Sequence, residues 1–128
     1  MAMIILMGSK ENKEKSKRFL GLNNVRFLYL NSNLAAGKIK CPLDFVYIDG
    51  NHDYSFVKKD IEDYYSLLKM GGVLAGHDIN NFGFENGVLK AVMEFAVNND
   101  LYVYNYHNDW WIVKTDGRRE NVRKTYCR

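Results

Sequence analysis

Leu43-Asp44-Phe45-Val46-Tyr47-Ile48-Asp49-Gly50-Asn51-His52-Asp53-Tyr54 is the stretch whose reading decides the fold. Its first six residues are apolar except Asp44. A short continuous apolar run of this kind predicts a buried strand, covered on both faces as in a parallel sheet. Asp49 to Asp53 then form a polar loop at the strand's C-terminal end. A helix is predicted from about Ser55 to Met70. Val57, Ile61, Tyr64 and Leu68 fall at i, i+4, i+7 and i+11 and make one apolar stripe. Gly71-Gly72 is expected to stop this helix, with Lys69 facing the negative end of its dipole. Val73 to Gly76 reads as the next strand, ending in His77-Asp78.

The pattern continues in both directions. Upstream, Met3 to Met7 and Val25 to Leu30 read as strands. Between them lies a helix from roughly Lys10 to Leu20, capped by Ser9 and ended by Gly21. A helical turn is expected at Leu34 to Lys38. Downstream, Asn80 to Asn86 is a loop and Gly87 to Asn98 a helix. Leu101 to Tyr106 and Trp110 to Lys114 are strands. Only His107-Asn108-Asp109 separates them, so they should pair as an antiparallel hairpin. One of Trp110 and Trp111 should point into the core, since strand residues alternate. Alternating strands and helices predict an α/β layer fold, mostly parallel with an antiparallel end.

Composition narrows the class. The 128 residues suit one domain, expected over 1–116, and 47% hydrophobic with 26% charged is an ordinary globular balance. No apolar run approaches the roughly 20 residues of a membrane span. Cys41 and Cys127 make neither a disulfide framework nor a metal knuckle, so a reducing cytoplasm is expected. The formal charge of +3 is uneven. Arg118, Arg119, Arg123, Lys124 and Arg128 stand against Glu120, so residues 117–128 form a basic tail of +4 and the body carries −1. The tail reads as a frayed end, and no nucleic-acid partner is expected.

In open α/β sheets, ligands bind beyond the C-terminal ends of the strands. Two consecutive strands here end in polar clusters: Asp49, Asn51, His52 and Asp53, then His77, Asp78 and Asn80. Adjacent strands lie about 4.8 Å apart. That brings Asp49 and Asp78 within reach of one hard cation or one substrate hydroxyl. Carboxylates suit Mg²⁺ or Ca²⁺, and the histidines leave Mn²⁺, Fe²⁺ or Zn²⁺ open. Helix or loop capping is the alternative reading of both acids.

The same residues carry a family resemblance. Leu43 to Tyr54 resembles the fourth-strand motif of class I S-adenosylmethionine-dependent methyltransferases, in the small-molecule and sugar O-methyltransferase branch. Leu67-Leu68-Lys69-Met70-Gly71-Gly72-Val73-Leu74 resembles the family's "L-L-K-P-G-G" element. His77-Asp78 matches the end of its fifth strand, and Gly87-Val88 to Phe95 the helix that follows. Leu20 to Phe27 resembles the entry to its third strand.

The resemblance implies a Rossmann-like methyltransferase fold, truncated at its N-terminus, and an S-adenosylmethionine cofactor. It places a divalent cation, Mg²⁺ or another, on Asp49, His77 and Asp78. The cation would hold the hydroxyl of a small-molecule substrate and lower its pKa. Asp49 and His52 are then the catalytic residues, His52 as general base, because imidazole titrates near about 6.5. A loop-shaping hydrogen bond is the other reading of His52, and Tyr54 reads as a packing residue. Met3 to Met7 falls on the family's second strand, with Ser9 at the ribose position. Asn31 and Ser32 fall at the adenine position. The family's first strand and its Gly-rich turn have no counterpart. The sheet is therefore expected to pair differently, leave a gap, or gain a strand from another chain in a homo-oligomer.

Two other functions fit parts of the sequence. A degenerate methyltransferase half would act as a non-catalytic binding or assembly module. Gly50-Asn51-His52-Asp53 also resembles the "G-N-H-D/E" signature of metallophosphoesterases, in which Asn and His meet a dinuclear metal site. The upstream "D-x-H" and "G-D-x-x-D" elements of that family do not occur.

Overall fold

A computed structural model of the chain describes residues 3–6, 14, 21, 23, 25–80 and 86–116. The expected helix at 10–20, Ser9, most of the 80–86 loop and the basic tail at 117–128 lie outside the described residues. The chain divides into two compact units, Met1–Lys40 and Cys41–Arg128.

In the first unit, β1 (Met3–Leu6) pairs in parallel with β2 (Val25–Leu28), Met3 opposite Val25 and Leu6 opposite Leu28. The Phe27 and Tyr29 rings stack at 6.1 Å. A short helix, α1 (Ser32–Ala36), follows and buries Ala35 and Ala36.

The second unit is built on a four-stranded sheet in the order β3-β4-β6-β5. Its elements are β3 (Leu43–Ile48), α2 (Tyr54–Leu67), β4 (Leu68–Gly76), α3 (Gly87–Asn98), β5 (Tyr104–Tyr106) and β6 (Asp109–Val113). β3 and β4 are parallel, as their connection through α2 requires. β6 runs antiparallel to both β4 and β5, which is the expected hairpin.

One face of this sheet carries Leu74, Ile112 and Trp110, all essentially closed to solvent. Val57, Ile61 and Tyr64 of α2 and Val88, Ala91, Val92 and Ala96 of α3 are buried with them. Trp110 is thus the core tryptophan, while Trp111 on the other face stacks on Tyr104 at 5.7 Å. β3 departs from the expectation of burial on both faces. Phe45 and Tyr47 are 59% and 47% exposed, because they lie on the face opposite Leu74, Ile112 and Trp110.

The junction of α2 and β4 also departs from the sequence reading. The helix ends at Leu67, four residues before Gly71, and extended backbone begins at Leu68. The signal that ends it lies far away. Lys114 Nζ reaches the carbonyls of Tyr65, Ser66 and Leu68 at 3.0, 3.3 and 2.8 Å. A cation there complements the negative end of the helix dipole, and the Tyr65 carbonyl also accepts from the Leu68 N–H. Lys69 instead pairs with Asp44 at 2.8 Å. Gly71 adopts φ +79 inside β4, a conformation that costs a side chain but not glycine. It absorbs the irregular register between Leu43–Leu68 and Phe45–Val73.

Candidate active site

β3 and β4 end side by side, Ile48 opposite Gly76. The residues that follow them therefore emerge together. One ligand atom each from Asp49, His52 and Asp78 lie within 4.8 Å of one another. His52 Nε2 is 2.7 Å from Asp78 Oδ2.

His77 takes a different place from the other three. Its Nδ1 is 3.1 Å from Asp78 Oδ1, and its Nε2 faces Asp109 Oδ1 at 4.0 Å. The converging group among the described residues contains His52 and not His77. Asn31 and Ser32 sit in the first unit, beyond β2. The Asn31 side chain makes no capping hydrogen bond to α1.

The loop after β3 has its own internal support. Asn51 Oδ1 accepts from the Asp53 backbone N–H at 2.8 Å, an Asx turn that shapes the chain around His52. Asn51, rather than His52, thus supplies the loop-shaping bond. The start of α3 presses on the same loop. A Cβ at Gly87 would collide with the His52 carbonyl and stand 2.5 Å from Tyr54 N. Tyr54 donates to Glu94 Oε2 and packs beneath Lys90, 4.5 Å from its ring centroid, which bears out its packing role.

The loop after β4 is held from outside. His77 N–H donates to Ile48 O at 3.1 Å. Asp78 has φ +65, a left-handed conformation that aspartate tolerates better than most residues. Asn86 caps α3 by accepting from Leu89 N at 2.9 Å, and its Nδ2 donates to Ile79 O at 2.7 Å. Asn80 Nδ2 donates to the carbonyl of His107 in the hairpin turn.

Three site residues escaped the sequence reading: Tyr47, Asn108 and Asp109. Tyr47 Oη donates to Asp109 Oδ1 at 2.6 Å. That hydrogen bond, with lesser effects of burial and of the charges on Asp109, Asp49 and Asp78, pushes the phenol up to about 12. It stays a protonated donor throughout the neutral range. Strand alternation alone puts Tyr47 on the face of Asp49. Asp109 is placed by register, since Trp110 pairs with Gly76 and the residue before it therefore adjoins His77.

Asp49 and Asp78 supply hard oxygen donors, and His52 adds a borderline nitrogen. Such a set suits Mg²⁺ or Mn²⁺ and admits Fe²⁺ or Zn²⁺. A cation would take the place of the direct contact between His52 Nε2 and Asp78 Oδ2.

The sequence profile of the methyltransferase domain matches residues 8–79. The chain belongs to that family. The match runs through β3, its polar loop, α2 and β4 to the residue after Asp78. No curated protein matches this chain in sequence. Solved structures match it in fold. The methyltransferase MycE of mycinamycin biosynthesis, in complex with Mg, SAH and mycinamycin VI, superposes with a TM-score of 0.69 at 14% identity. That match covers 94% of this chain and 38% of MycE. A Staphylococcus aureus protein assigned as a caffeoyl-CoA O-methyltransferase gives 0.70 at 15% identity, over 89% of this chain and 65% of its own. An rRNA methylase from Streptococcus thermophilus gives 0.68 at 14%, over 89% and 74%.

The chain therefore spans about two-fifths to three-quarters of the length of these structures. The fold is the expected Rossmann-like one of class I S-adenosylmethionine-dependent methyltransferases. The metallophosphoesterase reading loses its footing, because the family match takes up the same motif and the Asn51 amide oxygen is engaged within its own loop. No helix among the described residues is long and apolar enough to cross a membrane.

Proposed function

We propose that this methyltransferase domain serves O-methylation of a small-molecule hydroxyl, with S-adenosylmethionine as donor and a divalent cation at Asp49 and Asp78. The observation that carries the reading is the convergence of Asp49, His52 and Asp78 beyond two adjacent parallel strands. The solved complex of MycE, of like fold, with Mg and SAH supports a divalent cation beside this cofactor.

Asp49 and Asp78 would hold the cation, whose chemistry there would be to bind the acceptor hydroxyl and lower its pKa. His52, whose ligand nitrogen converges on the same spot as the two aspartates, stands where it would take the acceptor's proton. S-adenosylmethionine would supply the methyl group, which the acceptor oxygen would take as the carbon–sulfur bond breaks and S-adenosylhomocysteine is released. The domain's main contribution is to align these groups. Asn31 and Ser32 are the described candidates for cofactor contact.

An uncharged acceptor is favoured by the surface beside Asp78. A groove of about 440 Å³ lies there, and its lining among the described residues, mainly Ile79, Asn80, Leu89, Met93, Leu101 and Tyr102, carries no charge. That size suits a small molecule.

His52 has a second reading as a third cation ligand, since its nitrogen belongs to the converging group. Calorimetric titration with S-adenosylhomocysteine, with and without Mn²⁺, tests the whole assignment. Saturable binding that Asp49→Asn or Asp78→Asn makes independent of Mn²⁺ supports it. Absence of binding at millimolar ligand overturns catalysis by this chain and favours the non-catalytic module. His52→Gln separates its two roles. A base leaves Mn²⁺ affinity intact and alters the pH–rate profile, whereas a ligand loses affinity.

A further inference from the structure

The turn between β5 and β6 carries one residue, Asn108, whose side chain and carbonyl together touch three consecutive residues of the loop after β4. Asn108 Nδ2 donates to Asp78 Oδ1 at 3.3 Å. Asn108 Oδ1 accepts from the Asn80 backbone N–H at 3.1 Å. The Asn108 carbonyl accepts from the Ile79 backbone N–H at 3.2 Å. The turn is itself tightly bent, with His107 at φ +52. It faces another left-handed residue, Asp78 at φ +65. Such a backbone conformation persists only where its surroundings over-determine it, and Asn108 makes three of the bonds that do so.

The consequence for Asp78 is geometric. Its two oxygens are divided: Oδ1 meets Asn108 and His77, while Oδ2 faces His52. A carboxylate free to rotate would present either oxygen. With Oδ1 occupied from the hairpin, Oδ2 is the one directed toward His52 and Asp49.

We propose that Asn108 is a positioning residue that holds the 78–80 loop in its strained conformation and aims Asp78 at the cation. This rests on the reading of Asp49 and Asp78 as the cation-holding pair. The antiparallel hairpin is then part of the active-site machinery and not only the edge of the sheet. Outer-shell partners of this kind typically govern affinity by 10- to 100-fold.

The test uses the full chain, with Mn²⁺ alone as probe followed by electron paramagnetic resonance, and amide hydrogen exchange without metal. Asn108→Ala should weaken Mn²⁺ binding by about tenfold or more. The Ile79 and Asn80 amides should exchange at least about tenfold faster, since each loses its acceptor or that acceptor's placement. Asn108→Ser suits the same turn and carries a hydroxyl too short to span both partners, so it should weaken Mn²⁺ binding at an unchanged melting temperature. Asn105→Ala, on the same hairpin, should change neither quantity.

Wild-type protein that binds no Mn²⁺ at millimolar concentration overturns both the cation reading and this one. Wild type that binds, with both Asn108 variants binding within twofold of it, overturns the Asn108 assignment alone. Unchanged exchange at Ile79 and Asn80 overturns the clamp itself.

Discussion

The turn after β3 is closed by its own side chain, Asn51 accepting from Asp53 two residues on, whereas the turn after β4 is closed by Asn86 and Asn108, seven and thirty residues from their partners. Both turns deliver an aspartate to the same spot. The first is closed by a local Asx turn, with α3 packed against its backbone at His52 and Tyr54. The second needs α3 and the β5–β6 hairpin in place before Asp78 can be held at a positive φ. An active site assembled this way joins one half that forms with its loop to another that forms with the whole sheet. Disturbing distant packing should therefore loosen Asp78 before it loosens Asp49.

The strongest blow to this comparison falls where the two halves share support. Gly87 presses on the His52–Tyr54 backbone, and its neighbour Asn86 holds Ile79. Gly87→Ala forces backbone to move and should destabilise the chain by about 2–3 kcal/mol, an overpacking cost read from urea unfolding. Little change in stability would mean that α3 does not brace the β3 loop.

Lys114→Met comes next. It removes the ammonium that serves three carbonyls at the end of α2, while retaining much of the aliphatic stem. A loss of about 1–2 kcal/mol is expected, also in urea. Fraying should be confined to the last turn of α2, read as faster amide exchange there. Fraying spread through the sheet would instead make β6 a general scaffold rather than a supplier of specific bonds at its two ends.

Asn51→Ala should cost about 1 kcal/mol or less, since a solvent-exposed turn loses one hydrogen bond. Exchange at Asp53 N–H should rise while Ile79 and Asn80 stay protected. Loss of protection at both loops would erase the distinction between them.

The smallest effect near neutral pH concerns the framework that both loops rest on. Burial of Tyr64 on α2, with the charges of Asp60 and Asp63 adding to it, raises the phenol above its usual value. Its pKa is higher folded than unfolded, so the stabilisation is complete below about pH 10 and is lost as pH climbs beyond that. The urea midpoint should hold steady between pH 8 and 9.5, on the order of the noise, then fall above pH 10. Tyr64→Phe should blunt that alkaline fall.

What was legible before folding followed chain-local rules. The apolar run to Ile48, the stripe on α2 and the hairpin turn, which the structure tightens to His107 and Asn108, each carry their signal within a few residues. Asp49 and Asp78 were legible as a pair because consecutive strands joined by a helix have their C-terminal ends on one side of the sheet. The end of α2 was misread because the glycines suggested one stop, while Lys114, some 46 residues from Leu68, supplies another. β3 was expected to be covered on both faces because its composition records hydrophobicity but not which neighbours arrive.

Residue order alone thus determined the methyltransferase fold class, the strands that carry the acids, and the turn that presents His52. Tertiary structure decided which histidine stands between the two aspartates, and brought Tyr47, Asn108 and Asp109 to the site. The physical reason is range. Periodicity and turn chemistry act over a few residues and leave a trace in sequence. The register of β6 against β4 sums contacts along whole strands, and it sets Asn108 over Asp78 through pairings that no local pattern encodes.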